Sequence, residues 1–290
     1  MSVSHPIIAV TGSSGAGTST VKNAFEDIFR RGGIKPVIVE GDSFHKYNRM
    51  EMEAAVEAAE AKGSALTHFG PEANCLDRLE NLFQTYSETG SGEKRYYVHD
   101  ENEAAKYNQE SGTFTPWEEI DGDNDLLFYE GLHGAIVTDE VNIPKFVDLL
   151  IGVVPVINLE WIQKVKRDCA NRGYSQEAVV DIILKRMPDY IHHITPQFSR
   201  THINFQRVPL IDTSNPFVMR EIPSADESLV VIRFKDSKQA DFPYYLSMLK
   251  DSFMSRPNNM VIPAVKLGLA MEIILTPFIE EMMIRKRQRG

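Results

Sequence analysis

The segment from residue 6 to residue 20 constrains the fold of this chain more than any other part of the sequence. It begins with the apolar run 7–10, continues through a glycine-rich turn and enters a helical pattern over 19–31. A strand, a glycine turn and a helix in this order are typical of a loop that binds phosphate. In such a loop, backbone N–H groups turn inward around phosphate oxygens, and the positive end of the helix dipole adds to the attraction.

The spacing fits the G-x-x-x-x-G-K-[ST] pattern of nucleoside triphosphate sites at every position but one. Thr18 stands where the pattern has lysine, so one positive charge near the phosphates must come from elsewhere in the chain. Ser19 is placed to bind a magnesium ion. The predicted ATP-binding residues are Gly12, Ser13, Ser14, Gly15, Ala16, Gly17, Thr18, Ser19 and Thr20. A turn that binds nothing, or a dinucleotide loop, is the alternative.

Composition excludes several classes of function. The chain has 290 residues and a formal net charge of −10, which argues against a general nucleic-acid binder because such proteins usually need a basic face. Its two cysteines are far apart in sequence, which suits a reducing cytosol. No apolar run approaches the roughly 20 residues that span a bilayer. We therefore expect a cytoplasmic protein with no nucleic-acid or membrane partner.

Short apolar runs alternate with helical patterns along the chain, which predicts an α/β fold. We expect one domain over residues 1–290, with a mixed, mostly parallel sheet and helices on both faces. A polar excursion is expected over 88–124 and a mobile lid over about 165–200. The predicted strands are 7–10, 36–40, 125–129, 149–157, 208–212 and 229–234, and the predicted helices outside the loop are 50–62 and 265–285.

Two of the predicted strands end in acidic residues. Because ligands of open parallel sheets lie beyond the carboxyl ends of the strands, Asp42 and Glu130 should face the same crevice as the glycine loop. Asp42 is a candidate general base for an attacking hydroxyl, a magnesium ligand, or merely a helix cap. Glu130 is a candidate metal ligand. His45 and Arg49 follow on the same stretch and are candidates for holding the anionic part of an acceptor, although each alone is more often a surface residue.

A helical segment over 160–173 places Lys164, Arg167, Asp168 and Arg172 on one side of a helix, at about 100° per residue. One interpretation is a surface helix with i,i+4 ion pairs. The other is a cationic lid that supplies the charge missing at Thr18, with Lys164 as the best substitute. Asp168 would then orient those cations or share the metal with Asp42.

These segments together resemble the phosphoribulokinase family of bacterial type, within the P-loop kinases related to uridine kinase. The matching stretches are 12–19, 40–45, 97–100, 128–134, 158–164, 204–209 and 212–217. The resemblance implies magnesium-dependent transfer of the ATP γ-phosphoryl group to the C1 hydroxyl of D-ribulose 5-phosphate, which gives ribulose 1,5-bisphosphate and ADP, a reaction of the Calvin cycle.

The resemblance also implies roles for individual residues. Asp42 would be the catalytic base and Asp168 a second essential carboxylate near the metal. Lys164 and Arg167 would stabilise the transition state or ATP. The residues expected around the sugar phosphate are His45, Arg49, Tyr97, His99, Lys164 and Arg172. Tyr97 and His99 depend on the resemblance alone.

Regulation is implied by the resemblance as well. Plant-type relatives have cysteine and lysine in the loop where this chain has Ala16 and Thr18, so disulfide control is not expected. Bacterial-type relatives are homo-oligomers that NADH activates and AMP inhibits, and Arg31, Arg233 and Arg256 match their effector positions or are ordinary surface arginines. Two other functions stay open: a kinase for another sugar phosphate or a nucleoside, and an inactive nucleotide-binding regulator.

Overall fold

The structure is a computed structural model that describes residues 4–12, 18–218 and 221–288, with the side chains of 18, 19, 171 and 172 outside the description. Its strands are β1 (Ile7–Gly12), β2 (Pro36–Glu40), β3 (Glu93–Lys94), β4 (Glu118–Glu119), β5 (Leu126–Gly131), β6 (Leu149–Val154), β7 (Ile203–Pro209), β8 (Ser228–Phe234), β9 (Phe253–Arg256) and β10 (Asn259–Pro263). Its α-helices are α1 (Thr18–Gly32), α2 (Arg49–Glu60), α3 (Leu76–Thr89), α4 (Glu101–Tyr107), α5 (Ile157–Arg172), α6 (Gln176–Asp189), α7 (Phe242–Met248) and α8 (Leu267–Arg287).

The main sheet confirms the predicted mixed, mostly parallel arrangement. Within the described residues it has eight strands in the order β2-β5-β1-β6-β7-β8-β10-β9. The first five are parallel, and β8, β10 and β9 continue the sheet in antiparallel pairs. The strand that leads into the glycine loop, β1, lies near the centre of the parallel part.

Helices cover both faces of this sheet, as predicted. Side chains alternate between the faces along each strand, so Ile8 and Val10 of β1 pack with α1 and α8, whereas Ile7 and Ala9 pack with α3. The apolar stripe of α1 includes Phe25, which stacks against a phenylalanine of β5. Burial on both faces explains why β1 is apolar without alternation.

Two predicted strands differ from the structure. The run 149–157 is a strand only to Val154, because Pro155 has no N–H group for a sheet ladder and α5 begins at Ile157. The prediction of a strand over 208–212 is wrong, since β7 ends at Pro209. Polar Asn204 hides the start of β7 from an apolar pattern, and it is buried because its side chain bonds the Phe198 carbonyl and the Thr201 hydroxyl.

The polar stretch 88–124 contributes no strand to the main sheet. It contains α4 and the small β3–β4 sheet, and its backbone pairs Val98 with Gly112 and Thr113. Arg49 at the start of α2 donates its N–H to the Gly112 carbonyl, which ties this excursion to the segment after β2.

Helices α5 and α6 form a hairpin with a hydrophobic cluster of its own. Val165, Val179 and Ile183 form that cluster, with Trp161 and Phe217 packed against it. After Pro188 the chain continues as a π-helical turn, Tyr190–Ile194. No helix in the described parts of the chain has the length and apolarity needed to cross a membrane.

Candidate active site

The carboxyl ends of β2, β5 and β1 bring three predicted site elements to one edge of the sheet. Glu130 lies opposite Glu40 on β2 and opposite Val10 on β1. Beyond this level, Gly41 and Gly131 approach so closely that a Cβ on Gly131 would lie 2.6 Å from the Gly41 Cα atom. Both positions therefore need glycine, which explains why a Glu-Gly sequence stands at the end of both β2 and β5.

The glycine loop follows β1 at the same edge. Gly12 packs against β6, where a Cβ would lie 2.8 Å from the Val153 carbonyl oxygen. Ser13, Ser14, Gly15, Ala16 and Gly17 lie outside the described residues. Thr18 and Ser19 start α1, their side chains lie outside the description, and Thr20 is exposed. Since only β5 separates β1 from β2, the ends of these two strands are roughly 10 Å apart, at about 4.8 Å per strand spacing.

Asp42 lies in a single turn of 3-10 helix, Gly41–Phe44, hereafter the β2 turn. Ser43 and Phe44 of this turn are buried, and the Ser43 hydroxyl donates to the Glu40 carbonyl. The Asp42 side chain is 44% exposed and its Oδ1 atom lies 3.6 Å from Nε2 of His45. The β2 turn has Glu40 at its N-cap position with no side-chain cap bond, and α2 is capped by Asn48, so Asp42 caps neither helix.

Three imidazoles lie around the β2 turn: His45 and His133 are buried and His68 is half-buried. The rings of His45 and His68 stack with 4.1 Å between centroids, and His133 Nε2 lies 3.2 Å from the Phe69 carbonyl oxygen. Burial, and then neighbouring positive charge, lower the pKa of His45 and of His68 to about 3. Burial lowers the pKa of His133 to about 4. His45 is therefore neutral near pH 7, and its ring offers hydrogen-bonding nitrogens rather than a charge.

Three of the other residues predicted around the sugar phosphate, Arg49, Tyr97 and His99, lie near His45 and the end of β2. Tyr97 makes edge-to-face contacts with His45 (6.3 Å between centroids) and with His99 (4.9 Å). The His99 Nε2 atom lies 4.0 Å from Glu40 Oε2. Arg49 donates to the His99 carbonyl at 3.0 Å. Tyr97 and His99 belong to the polar excursion, so composition alone gave no sign that they meet the β2 turn.

The cationic group on α5 is also assembled. Asp168 accepts from Lys164 Nζ at 2.5 Å and from Arg167 Nε at 2.9 Å, and its side chain is only 2% exposed. Burial acts to raise the pKa of Asp168, but the two donors outweigh burial and leave that pKa below its ordinary value. Burial lowers the pKa of Lys164, with Arg186 adding to the effect and Asp168 opposing it. The side chain of Arg172 lies outside the description. An i,i+4 pair exists as expected, but it is buried and is not an exposed surface pair.

Two polar links were not predicted from the sequence. Lys22 of α1 lies 3.3 Å from Glu40 Oε1 and so ties the loop helix to the end of β2. Gln197 is fully buried: its carbonyl oxygen accepts from Thr11 Oγ1 and Ala135 N, and its amide donates to the Leu132 and His193 carbonyls. Its position one turn after His193 carried no signal, because a single glutamine in a mixed segment is usually exposed.

The oxygen ligands at the sheet edge fit magnesium. In the described part of the chain no group of three or more His, Cys, Asp or Glu side chains could hold a metal by itself. Magnesium is usually bound through one or two carboxylates together with substrate phosphates and water. Asp42 and Glu130 supply two carboxylates at the edge of the sheet where β2 and β5 end, and these hard donors suit that requirement.

The three predicted effector arginines lie on α1, β8 and β9, outside the β2 turn. Arg233 on β8 and Arg256 on β9 both pair in register with Asn259 of β10. Arg31, at the end of α1, forms an ion pair with Glu272 of α8. The sheet therefore brings two of the three arginines together.

Comparison with known proteins shows the family of this chain. Residues 7–214 match the family model described as "Phosphoribulokinase / Uridine kinase family". The chain is 60% identical over 289 residues to "Phosphoribulokinase, chromosomal" of Cupriavidus necator, covering 99% of each chain. It is 60% identical to "Phosphoribulokinase" of Xanthobacter flavus, covering 100% of each. The solved structure titled "Phosphoribulokinase from Rhodobacter spheroides" superposes with a TM-score of 0.91 at 55% identity, covering 99% of this chain and 100% of that one.

Proposed function

Because the chain belongs to the phosphoribulokinase / uridine kinase family, we propose that it transfers the γ-phosphoryl group of ATP to the C1 hydroxyl of D-ribulose 5-phosphate. The products are ribulose 1,5-bisphosphate and ADP. The observation that carries this proposal is the position of Asp42: it follows β2 at the edge where the glycine loop follows β1, and it lies beside His45. A phosphate donor and a sugar acceptor can therefore meet at one carboxylate.

In this reaction Asp42 accepts the proton of the C1 hydroxyl. The hydroxyl oxygen forms a bond to the γ-phosphorus, and the bond between that phosphorus and the ADP oxygen breaks. A well-placed base contributes about 10²–10⁴ in rate. The amides of the loop hold the β- and γ-phosphates. Lys164 and Arg167, oriented by Asp168, stabilise the charge of the transferring group. They supply the positive charge that the loop loses because Thr18 stands in place of a lysine.

The acceptor binds between the β2 turn and the excursion. Neutral His45 hydrogen-bonds the sugar, while Tyr97 and His99 line the site and Arg49 with Arg172 attracts the phosphate. Ser19, Asp42, Glu130 and Asp168 are the candidate magnesium ligands. When bound, magnesium neutralises charge on the phosphate oxygens. The whole chain acts as one kinase domain, and residues of about 165–200 act as its lid.

An acceptor panel tests this function. Purified protein, ATP and magnesium are incubated with ribulose 5-phosphate, other pentose and hexose phosphates, and uridine, and ADP formation is followed. We expect turnover with ribulose 5-phosphate to exceed that with uridine by at least about 10³, because a site that hydrogen-bonds a polar group strongly rejects ligands that lack it. ATP binding without turnover on any acceptor would instead identify a nucleotide-binding regulator.

Regulation forms a further part of the proposal. The enzyme works in the cytoplasm as a homo-oligomer, with NADH as activator and AMP as inhibitor through Arg31, Arg233 and Arg256. The pairing of Arg233 and Arg256 across Asn259 supports a shared anion site. Assays with and without NADH for the parent chain and for Arg256→Ala, with sedimentation to measure mass, test it. An NADH response that is unchanged in Arg256→Ala contradicts this assignment.

A further inference from the structure

Arg95 in the polar excursion contacts the backbone of the β2 turn. Its Nε atom donates to the Ser43 carbonyl and its Nη2 atom donates to the His45 carbonyl, both at 2.7 Å. The two bonds reach carbonyls on either side of Phe44, so the planar guanidinium spans the C-terminal end of the turn. A fork of donors with this fixed geometry holds two acceptors in one arrangement, which a lysine cannot do.

The guanidinium is itself fixed by aromatic rings. Its carbon lies 3.7 Å from the centroid of Phe114 and 4.6 Å from that of Trp117. The Trp117 ring in turn contacts Phe44 of the β2 turn, with 5.5 Å between centroids. Arginine faces stack on aromatic rings, and such contacts hold the cation where water would otherwise compete for it. Arg95 is thus a rigid link between the excursion and the turn.

Arg95 belongs to a row of neighbouring side chains with Tyr97 and His99, two residues proposed to line the acceptor site. Arg95 and Tyr97 both contact the Phe114 ring. Tyr97 and His99 contact each other, and Tyr97 contacts His45. The row therefore joins the β2 turn at one end through Arg95 and lines the acceptor side at the other.

We propose that Arg95 is a positioning residue for phosphoryl transfer: by holding the Ser43 and His45 carbonyls it fixes the β2 turn, so that Asp42 and His45 face the same acceptor. This inference rests on the proposed function of Asp42. Arg95 touches neither substrate, and its effect reaches the reaction through the turn. Loss of the link is expected to impair the acceptor side and to leave the ATP side unchanged.

The chain offers a matched control in Arg78. Its guanidinium stacks on the same Trp117 ring, 4.8 Å from the centroid, but its side chain is exposed and no bond joins it to the β2 turn among the described contacts. Arg78→Lys and Arg95→Lys therefore make the same chemical change on the same aromatic partner. Only the second change removes the two carbonyl bonds.

The experiment compares kcat and both KM values of the parent, Arg95→Lys and Arg78→Lys. A small displacement of reacting groups can cost about 10²-fold, so we expect kcat/KM for ribulose 5-phosphate to fall about 10- to 100-fold in Arg95→Lys, with the KM for ATP within about twofold. Arg78→Lys should match the parent. Equal losses toward ATP and acceptor, or equal behaviour of the two variants, overturn the inference.

Folding and the proposed function are separated by two further measurements. If Arg95→Lys does not fold by circular dichroism, Arg95→Gln serves the same comparison, because it is neutral and keeps an amide donor. A parent chain that shows no turnover with ribulose 5-phosphate contradicts the proposed function. A parent that turns over, beside an Arg95→Lys or Arg95→Gln enzyme with normal acceptor kinetics, contradicts only the role of Arg95.

Discussion

The polar groups of the β2 turn are mainly neutral, whereas those of the α5–α6 hairpin form ion pairs. At the β2 turn, buried His45 and half-buried His68 are neutral, and Arg95 holds the backbone. In the hairpin, Lys164 and Arg167 both donate to one buried carboxylate, that of Asp168. A site that must bind a sugar gains from preformed neutral hydrogen-bonding groups, whereas transfer of a phosphoryl group needs charge.

The two regions also differ in how they join the core. Phe44 of the β2 turn belongs to the cluster that covers one face of the main sheet. The hairpin has a separate small cluster around Val179 and Ile183. Elements with few contacts to the main core open at lower free energy. This difference supports the proposal that the acceptor side is preformed and that the hairpin moves over it.

The largest expected effect is at the base. Asp42→Asn removes proton acceptance but keeps the size of the side chain, so we expect kcat to fall about 10²–10⁴-fold while ATP affinity stays near that of the parent. Steady-state kinetics and ATP titration measure the two quantities. Retention of more than about a tenth of kcat would mean that another group accepts the proton.

Loss of one cation from the hairpin is expected to have the next largest effect. Lys164→Met removes a charge near the transferring group, so we expect kcat to fall about 10²–10³-fold with the acceptor KM changed less. Lys166→Met on the same helix is the matched control, because Lys166 takes no part in the bonds to Asp168 described here. Similar kinetics of the two variants would show that Lys164 does not supply the missing charge.

Acid should destabilise the region of the β2 turn. His45, His68 and His133 stay neutral in the folded chain to about pH 3–4, whereas in the unfolded chain they bind protons below about pH 6.5. Their stabilisation is thus present above pH 6.5 and is lost as the pH falls, at about 1.4 kcal/mol per pH unit for each proton. Burial raises the pKa of Asp148 to about 6. Protonation of this one carboxyl in the folded chain adds stability as the pH falls, so it offsets only part of the loss from the three imidazoles.

Urea unfolding at pH 7.5, 6.0 and 5.0 measures this slope. His68→Gln should reduce the dependence of the unfolding free energy on pH. The exposed His192 is the control, and His192→Gln should leave the dependence unchanged. Stability that stays constant from pH 7.5 to 5.0 in the parent would contradict burial of these imidazoles in neutral form.

The smallest effect concerns the contact between the hairpin and α2. Lys185 of α6 pairs with Glu60 of α2 at 2.7 Å, and both side chains are about half exposed. An exposed ion pair contributes about 0.2–1 kcal/mol, so Lys185→Ala should lower the unfolding free energy by less than about 1 kcal/mol. Thermal unfolding measures the change. A loss of several kcal/mol would show that the hairpin is held to the body more firmly than its separate cluster suggests.

Local patterns were enough to predict the parts of the site that follow strands. Glycine and acidic residues at the ends of β1, β2 and β5 predict that Gly12, Asp42 and Glu130 share one edge, because parallel strands bring their carboxyl ends together. The helical spacing of Lys164 and Asp168 likewise predicts their contact, since i,i+4 side chains are neighbours.

Contacts between distant segments were beyond these patterns. The strand over 208–212 was predicted wrongly because Asn204, a buried polar residue near the start of β7, interrupts the apolar pattern of that strand. The pairing of Arg95 with the β2 turn joins positions about fifty residues apart, and the stacking of His45 on His68 joins two loops. Such contacts leave no period in the sequence.

The sequence by itself predicted the strands β1, β2, β5, β6 and β8, the glycine-rich stretch between β1 and α1, and the acidic residues at or just after the ends of β2 and β5, since each depends on residues close together along the chain. Only the tertiary structure decided that His45 is neutral and that the excursion holds the β2 turn. It also decided that Asp168 is buried between two cations. The physical reason is that burial and charge pairing depend on which segments pack together, and that packing depends on the whole sheet and its helices.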